Sequence, residues 1–504
     1  MTAEQGVKVR DKRTEVPRVD RLDQSELRLG NVLGEEAKLT YLLHDATNIS
    51  MTADLGPVSC REGLDLGIPD PKIFSNYCVY YPEVVVEALA RLYEEYNEVF
   101  VELVQKNAED CYAYQYNYQG SEPINHFVQI DMMGLPEEFL AGASNASVEA
   151  VQEVLRSRVF EIENSVAAYH LLSSLFVTET QPKTLFGETF RARLDELREK
   201  HQKPIALLAV TDEKYNSMLS FEFGKSEGGV LPAEEVKQKT GFDVFMGPKE
   251  FLAHLAENDG VCQYMLYVRA SAPTERLKDP RVSVESPLLS DSALRAVIRQ
   301  NALTFNIDAP DAPFENRIND TKEYLIPMDM AFRITSLNDL FDGDFLAYMN
   351  SKRATWDGYQ GLNRLSAPFR DFLESQDVAV DAVESGEVML RAKPEKETYG
   401  CYGHVRGAVS NREFKREVRQ GLDRRGSYVV QVEMKMPTIE NTHDNMRMTY
   451  IDRNFFAMTE DGPKFMGGFR AMMDVDSREA KHGRIHGSNE TVWSEILPAS
   501  MLTR

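Results

Sequence analysis

Near residue 200 the hydrophobic pattern of this chain changes period, and that change restricts the fold more than any other feature. Before it, apolar residues recur at helical spacing in PEVVVEALARLYEEYNEVFVELVQKN (82–107) and SVEAVQEVLRSRVFEIENSVAAYHLLSSLFV (147–177). The short strand candidate INHFVQIDMM (124–133) lies between them. After it, the buried-strand runs KPIALLAV (203–210) and VCQYMLYVR (261–269) are separated by the helical patterns EEVKQKTG and GPKEFLAHLAEN. A chain of 504 residues has room for roughly two to four domains. The expected organisation is an α+β or α/β multidomain chain. It comprises a charged mobile leader over 1–30, a mainly helical domain over 31–200, a small α/β domain over 201–335 and a nucleotide-binding domain over 336–504.

Composition removes several function classes. No run of about 18 uncharged apolar residues exists to span a bilayer. The first residues, MTAEQGVKVRDKRTEVPRVDRLDQSE, contain no apolar signal core, so a cytoplasmic chain is expected. Five cysteines (Cys60, Cys78, Cys111, Cys262, Cys401) fall in no CxxC or other zinc spacing and read as reduced thiols. A net charge of −23 opposes general binding to nucleic acid, which needs basic surface. One triphosphate needs only a local cluster of lysine and arginine.

Such a cluster is expected in the last third. In VMLRAKPEKETYGCYGHVRG (388–407) a strand ends at Lys393-Pro394, and a loop with Gly400, Gly403 and Gly407 follows. Glycines let backbone N–H groups approach phosphate oxygens, and a strand-end lysine can neutralise a phosphate. The order is neither that of a P-loop nor that of a dinucleotide-binding fold, and a plain glycine-rich hairpin accounts for it equally well. FKREVRQGLDRRGSYVVQVEMKMP (414–437) reads as helix, turn at Gly426, and strand. On that strand Gln431 and Glu433 could meet adenine and ribose, or simply alternate in polarity. The methionine-rich MRMTYIDRNFFAMTEDGPKFMGG (446–468) reads as core packing.

Lysine with a glycine loop, then a helix, then V-V-Q-x-E resembles the ATP-grasp superfamily, in particular its divergent, circularly permuted ligases of the glutathionylspermidine synthetase and peptide-ligase type. Asn350-Ser351-Lys352 in GDFLAYMNSKRATWDGYQGLNRL (343–365) and FMGGFR in FMGGFRAMMDVDSREAKHGRIHGSNETVW (465–493) extend the resemblance. It implies an ATP-grasp fold of two α+β lobes around ATP, with a small preATP-grasp-like α/β domain. The implied activity is ADP-forming ligation of a carboxylate to an amine, an amino acid or short peptide on at least one side, through an acyl-phosphate. It implies ATP and Mg²⁺, with Lys352 and Lys393 on phosphates, Arg470 facing the transferring phosphoryl group, and Arg269 and His486 toward substrate.

For Mg²⁺ the family's Glu-x-Asn is missing after Arg470. Asp474 with Asn489 is the first candidate set; Asp131 with Glu163 and Asn164 is the second. Glu315-Asn316 lies in an apparent loop. His404, Cys401, His482 and Arg484 read as incidental or as acceptor-pocket residues. The expected partners are small molecules, with a homodimer possible and neither nucleic acid nor membrane involved. Competing readings are a phosphotransferase on the same fold, a degenerate nucleotide-binding protein, and an unrelated α/β chain.

Overall fold

The computed structural model describes residues 50–53, 59–61, 72–106, 126–163, 185–209, 241–269, 288, 291–303, 330–342, 364–395, 403–433, 436–441, 446–477, 480, 485 and 491–503. In chain order the strands are β1 (Ser50–Ala53), β2 (Ser59–Arg61), β3 (Lys72–Tyr81), β4 (Phe127–Met133), β5 (Val159–Glu163), β6 (Ile205–Ala209), β7 (Val244–Met246) and β8 (Met265–Arg269). They continue as β9 (Phe332–Ile334), β10 (Leu390–Pro394), β11 (Val405–Gly407), β12 (Tyr428–Val432), β13 (Thr438–Asn441), β14 (Arg447–Thr459), β15 (Gly462–Asp474) and β16 (Val492–Pro498). The helices are α1 (Glu83–Lys106), α2 (Glu137–Ala143), α3 (Val148–Arg156), α4 (Leu185–His201), α5 (Pro248–Glu257), α6 (Ser292–Asn301), α7 (Ala367–Ser375), α8 (Val380–Ser385) and α9 (Arg412–Arg425).

The strands form three sheets, a mixed α+β architecture. The largest runs β1-β13-β14-β15-β16-β3-β2, with β4 joined to β14 and β5 to β4. Its spine is the antiparallel hairpin of β14 and β15, whose residues are buried along most of both strands. β1 and β3 join in parallel, to β13 and β16. N-terminal and C-terminal segments thus share one sheet. The expected boundaries at 31–200 and 336–504 cut through it, and the N-terminal span contributes the strands β1 to β5 to that sheet as well as helices.

Helices α1 to α3 cover one face of this sheet. On α1, Val85, Ala88, Leu89, Leu92 and Tyr93 are buried at i, i+3, i+4, i+7 and i+8, the stripe a one-sided helix needs. The pattern expected to run through 147–177 divides instead. Ser147 caps α3 by accepting from Ala150 N at 3.2 Å; the helix ends at Arg156, and Val-Phe-Glu-Ile-Glu continues as β5. Two β-branched residues and a phenylalanine within five positions outweigh the helical spacing upstream.

Helix α4 covers the opposite face. Phe186, Phe190, Leu194 and Leu197 share a core with Phe455, Phe469 and Trp493 of the large sheet, and with Ile205, Leu207 and Tyr267 of the parallel sheet β7-β6-β8. That small α/β unit agrees with the alternation expected after residue 200.

The third sheet, β11-β10-β12-β9, is antiparallel and owns a separate core with α7, α8 and α9. Asn411 caps α9 by accepting from Glu413 N at 2.8 Å, and Gly426, at φ +85°, ends it. Strand β9 places the start of this lobe before residue 336. Among the described residues no helix is long and apolar enough to cross a membrane.

Candidate active site

Strand period two decides what the four-stranded sheet offers outward. Leu390 and Ala392 enter its core, so Arg391 and Lys393 belong to the other face. Register spreads that face sideways: Arg391 lies opposite Arg406 and Gln431, and Val429 lies opposite both Lys393 and Arg333. Four cations thus stand with two carboxylates, Glu395 and Glu433. This is a local positive excess on a chain of net charge −23, the arrangement a polyanion needs.

Each carboxylate is engaged by arginine. Arg391 Nη2 donates to Glu433 Oε1 at 3.0 Å and Arg406 Nε to Oε2 at 2.6 Å. Arg333 Nε donates to Glu395 Oε2 at 3.1 Å. Glu433 therefore splints two arginines in this structure rather than standing open for a ribose.

Lys393, only 3% exposed, faces β5 of the large sheet. Its Nζ donates to the Phe160 carbonyl at 3.4 Å and stands 3.9 Å from Glu161 Oε2 and 5.3 Å from the Phe160 ring centroid. Gln431 Nε2 reaches the same carbonyl at 3.5 Å. Glu161 is the cross-strand partner of Asp131, and Asp131 that of Arg453. Arg453 Nη2 lies 3.2 Å from Asp131 Oδ2, and Gln129 Nε2 donates to Asp131 Oδ1 at 2.8 Å. A buried row of Glu161, Asp131 and Arg453 on one sheet thus meets a buried lysine and glutamine on the other. Gln129 Oε1 has no hydrogen-bond partner among the described residues.

The donor set suits a hard cation beside phosphate. Asp131 and Glu161 supply carboxylate oxygens and Gln129 an amide oxygen; Mg²⁺ asks for one or two carboxylates and completes its shell with water and phosphate. No group of three or more His, Cys, Asp or Glu side chains able to hold a metal occurs among the described residues. By register Glu163 pairs with Gln129.

Arg470 lies elsewhere. It pairs in register with Asp452, one residue from Arg453, and so occupies the opposite face, beneath α1 to α3. It is fully buried: Nε donates to Asp452 Oδ1 at 2.7 Å, Nη2 to Oδ2 at 2.8 Å and to the Leu135 carbonyl at 2.6 Å. Its guanidinium stacks 4.2 Å from the Tyr450 ring centroid. Burial, the largest single influence, works to lower its pKa, but the charge and hydrogen bonds of Asp452, with Tyr450 and Tyr81, together raise it further, so the net shift is upward and the charge is kept. The expected contact with a transferring phosphoryl group is replaced by a core ion pair.

The remaining expected site residues disperse. Asp474 ends β15, where Oδ1 accepts from Asp476 N at 2.8 Å, a turn contact. Gly403 takes φ +77° before β11, and its carbonyl accepts from Tyr428 Oη at 3.0 Å; β10 and β11 pair antiparallel, and residues 396–402 between them lie outside those described. Arg269 ends β8, with its side chain outside what is described. Lys352, Gly400, His486, Asn489, Asn164, Glu315, Asn316, Cys401, His482 and Arg484 lie outside the described residues, as does the leader over 1–30.

Sequence reading missed Glu161 and Arg453. The signal for Glu161 was Val159-Phe-Glu-Ile-Glu163, whose period two marks a strand with both glutamates on one side. Arg453 sits inside a run read only as core.

No family model matches the chain, and no curated protein matches it. Among solved structures it is similar to a glutathione synthetase-like effector from Globodera pallida in the apo form. The two are 9% identical over 93% of this chain and 99% of that one, with a TM-score of 0.33, a likeness too slight to bear on function.

Proposed function

We propose that this chain is an ATP-dependent ligase of the ATP-grasp type, joining a carboxylate to an amine through an acyl-phosphate with release of ADP and phosphate. The observation that supports it is the meeting of Lys393, from the cation-rich face of one sheet, with Glu161 and, beyond it, Asp131 and Arg453 on another. The resemblance of 388–437 to ATP-grasp ligases gives the reading its name.

ATP would supply the phosphoryl group that activates the carboxylate, and Mg²⁺ the charge neutralisation around it. Lys393 would bind phosphate oxygens, with Arg333, Arg391 and Arg406 raising the potential about it. Asp131 and Glu161 would hold the cation, helped by Gln129 Oε1. Gln431 would orient the nucleotide beside Lys393, and Arg453 a substrate carboxylate. Both chemical steps would then rest on positioning and charge, and no protein nucleophile is required.

Before nucleotide enters, Lys393 and Glu161 neutralise each other. On binding, Lys393 would turn to phosphate oxygens and Glu161 to the cation. Lys393→Met should reduce amine-dependent ADP release by about 10²–10³ while the fold is kept. Glu161→Gln should raise the Mg²⁺ concentration needed for half-maximal ADP release. Unchanged turnover in Lys393→Met would overturn the assignment.

A further inference from the structure

The face of the large sheet beneath α1 to α3 carries a second polar cluster, on the opposite side from the Lys393–Glu161 contact. Two adjacent rows of cross-strand neighbours build it. Asp452, Arg470 and Ser494 are in register in one row, and Asn454, Gly468 and Ile496 in the next. Asp452, Asn454, Arg470 and Ser494 are each at most 1% exposed.

Hydrogen bonding in this cluster is incomplete. Arg470 spends Nε and Nη2 on Asp452 and Leu135, and Tyr81 Oη and Leu135 N donate to Asp452 Oδ2 at 2.7 Å and 2.9 Å. Among the described residues Arg470 Nη1, Ser494 Oγ and both amide atoms of Asn454 have no hydrogen-bond partner. Burial first, then Asp452, raise the Tyr81 pKa well above its usual value, while Arg470 and then the Asn454 side chain, whose approach to Tyr81 falls short of hydrogen-bond geometry, oppose them. The four unpartnered atoms therefore surround a single ion pair, and their chemistry is mixed. Nη1 and Nδ2 donate, Oδ1 accepts, and a hydroxyl does both.

Charge selects the occupant. Arg470 is already neutralised by Asp452, so an added anion would bring uncompensated charge into a buried site, at a large desolvation cost. An apolar occupant would leave every one of these atoms unsatisfied. A neutral molecule that both donates and accepts answers all of them, and buried water commonly makes about three such bonds.

We propose that Arg470 Nη1, Ser494 Oγ and the Asn454 side chain hold one or more structural waters inside the core, completing the Asp452–Arg470 pair. The cluster ties β3, β14, β15, β16 and the turn before α2 into one unit.

The test is a crystal structure of the full chain at a resolution that shows ordered solvent, repeated for Ser494→Ala. The expected result is water density within about 3.2 Å of Arg470 Nη1, in contact with Ser494 Oγ or Asn454. In Ser494→Ala the water bonded to that hydroxyl is lost or displaced, with the ion pair kept. A dry site, a protein group on Nη1, or an anion there would each overturn the proposal, and the wild-type structure alone decides between them should the variant fail to fold.

Discussion

Arg470 and Lys393 are both buried cations on or beside the same sheet, and their partners assign them opposite work. Arg470 is bidentate to Asp452 and also bonded to Leu135, so removing it strands a carboxylate in the core. Arg470→Ala should cost roughly 3–5 kcal/mol in chemical denaturation. Arg470→Lys should recover little, because an ammonium cannot make the fork. Lys393 stands 3.4 Å and 3.9 Å from its contacts, longer than the 2.7 Å of the core pair, so Lys393→Met should cost less stability than Arg470→Ala. A third buried group reports on pH. Burial first, then Arg193, His201 and Lys200, lower the pKa of His126 to about 3, and Arg193 Nη2 donates to its Nδ1 at 3.3 Å. The fold keeps this imidazole neutral, whereas the unfolded chain protonates it below about pH 6.5. Stability should therefore fall as pH drops from about 6.5 toward 3, by up to roughly 1.4 kcal/mol per unit from this group. His126→Asn should flatten that slope between about pH 7 and pH 5 in urea titrations; an identical slope would count against the burial account.

Among the elements, helix α9 shows how a local rule becomes a loop anchor. A Cβ on Gly421 would lie 2.2 Å from Tyr428 Oη, the hydroxyl that holds the Gly403 carbonyl at 3.0 Å. Gly421→Ala should cost roughly 1–3 kcal/mol through overpacking, and adding Tyr428→Phe should recover part of it, read from denaturation midpoints. The same element was legible in the sequence, since Asn411 and Gly426 bracket a helical stripe. So were α1, β4 and β12, whose periods are unmixed. The strand β5 was not. Its five residues follow directly on α3, and apolar positions compatible with both periods let the helical reading run on. With β5 lost, Glu161 was lost from the site. Arg470 failed for a different reason. A strand gives no sign of which face will meet a partner sheet and which will meet helices, so Asp452–Arg470 and Asp131–Arg453, on adjacent residues of β14, cannot be told apart without the long-range pairing.

For the molecule as a whole, long-range pairing is the main fact. β1, β3 and β4 reach across more than half the sequence to β13, β16 and β14, and their register has no local sequence signature. Hence the organisation into consecutive domains expected from the hydrophobic pattern does not describe this sheet, while in the lobe around β9 to β12 the strand ending at Lys393-Pro394, the helix α9 and the strand β12 fall where the sequence places them. In a fragment spanning 336–504 the strands β13 to β16 should consequently fail to fold, because β13, β14 and β16 lack their N-terminal partners; dispersed amide NMR signals assigned to β14 and β16 in that fragment would refute the shared sheet. The central claim is that ligation takes place where Lys393 of the smaller lobe meets Glu161 of this sheet. Its most direct test is ADP release by the purified full-length protein from Mg-ATP across pools of amino acids and carboxylic acids, with mass detection of products, alongside Lys393→Met. The account predicts ADP release that depends on both an amine and a carboxylate, an amide product, and a loss of about 10²–10³ in the variant. ADP release indifferent to amine, or equal rates in the two proteins, would contradict it.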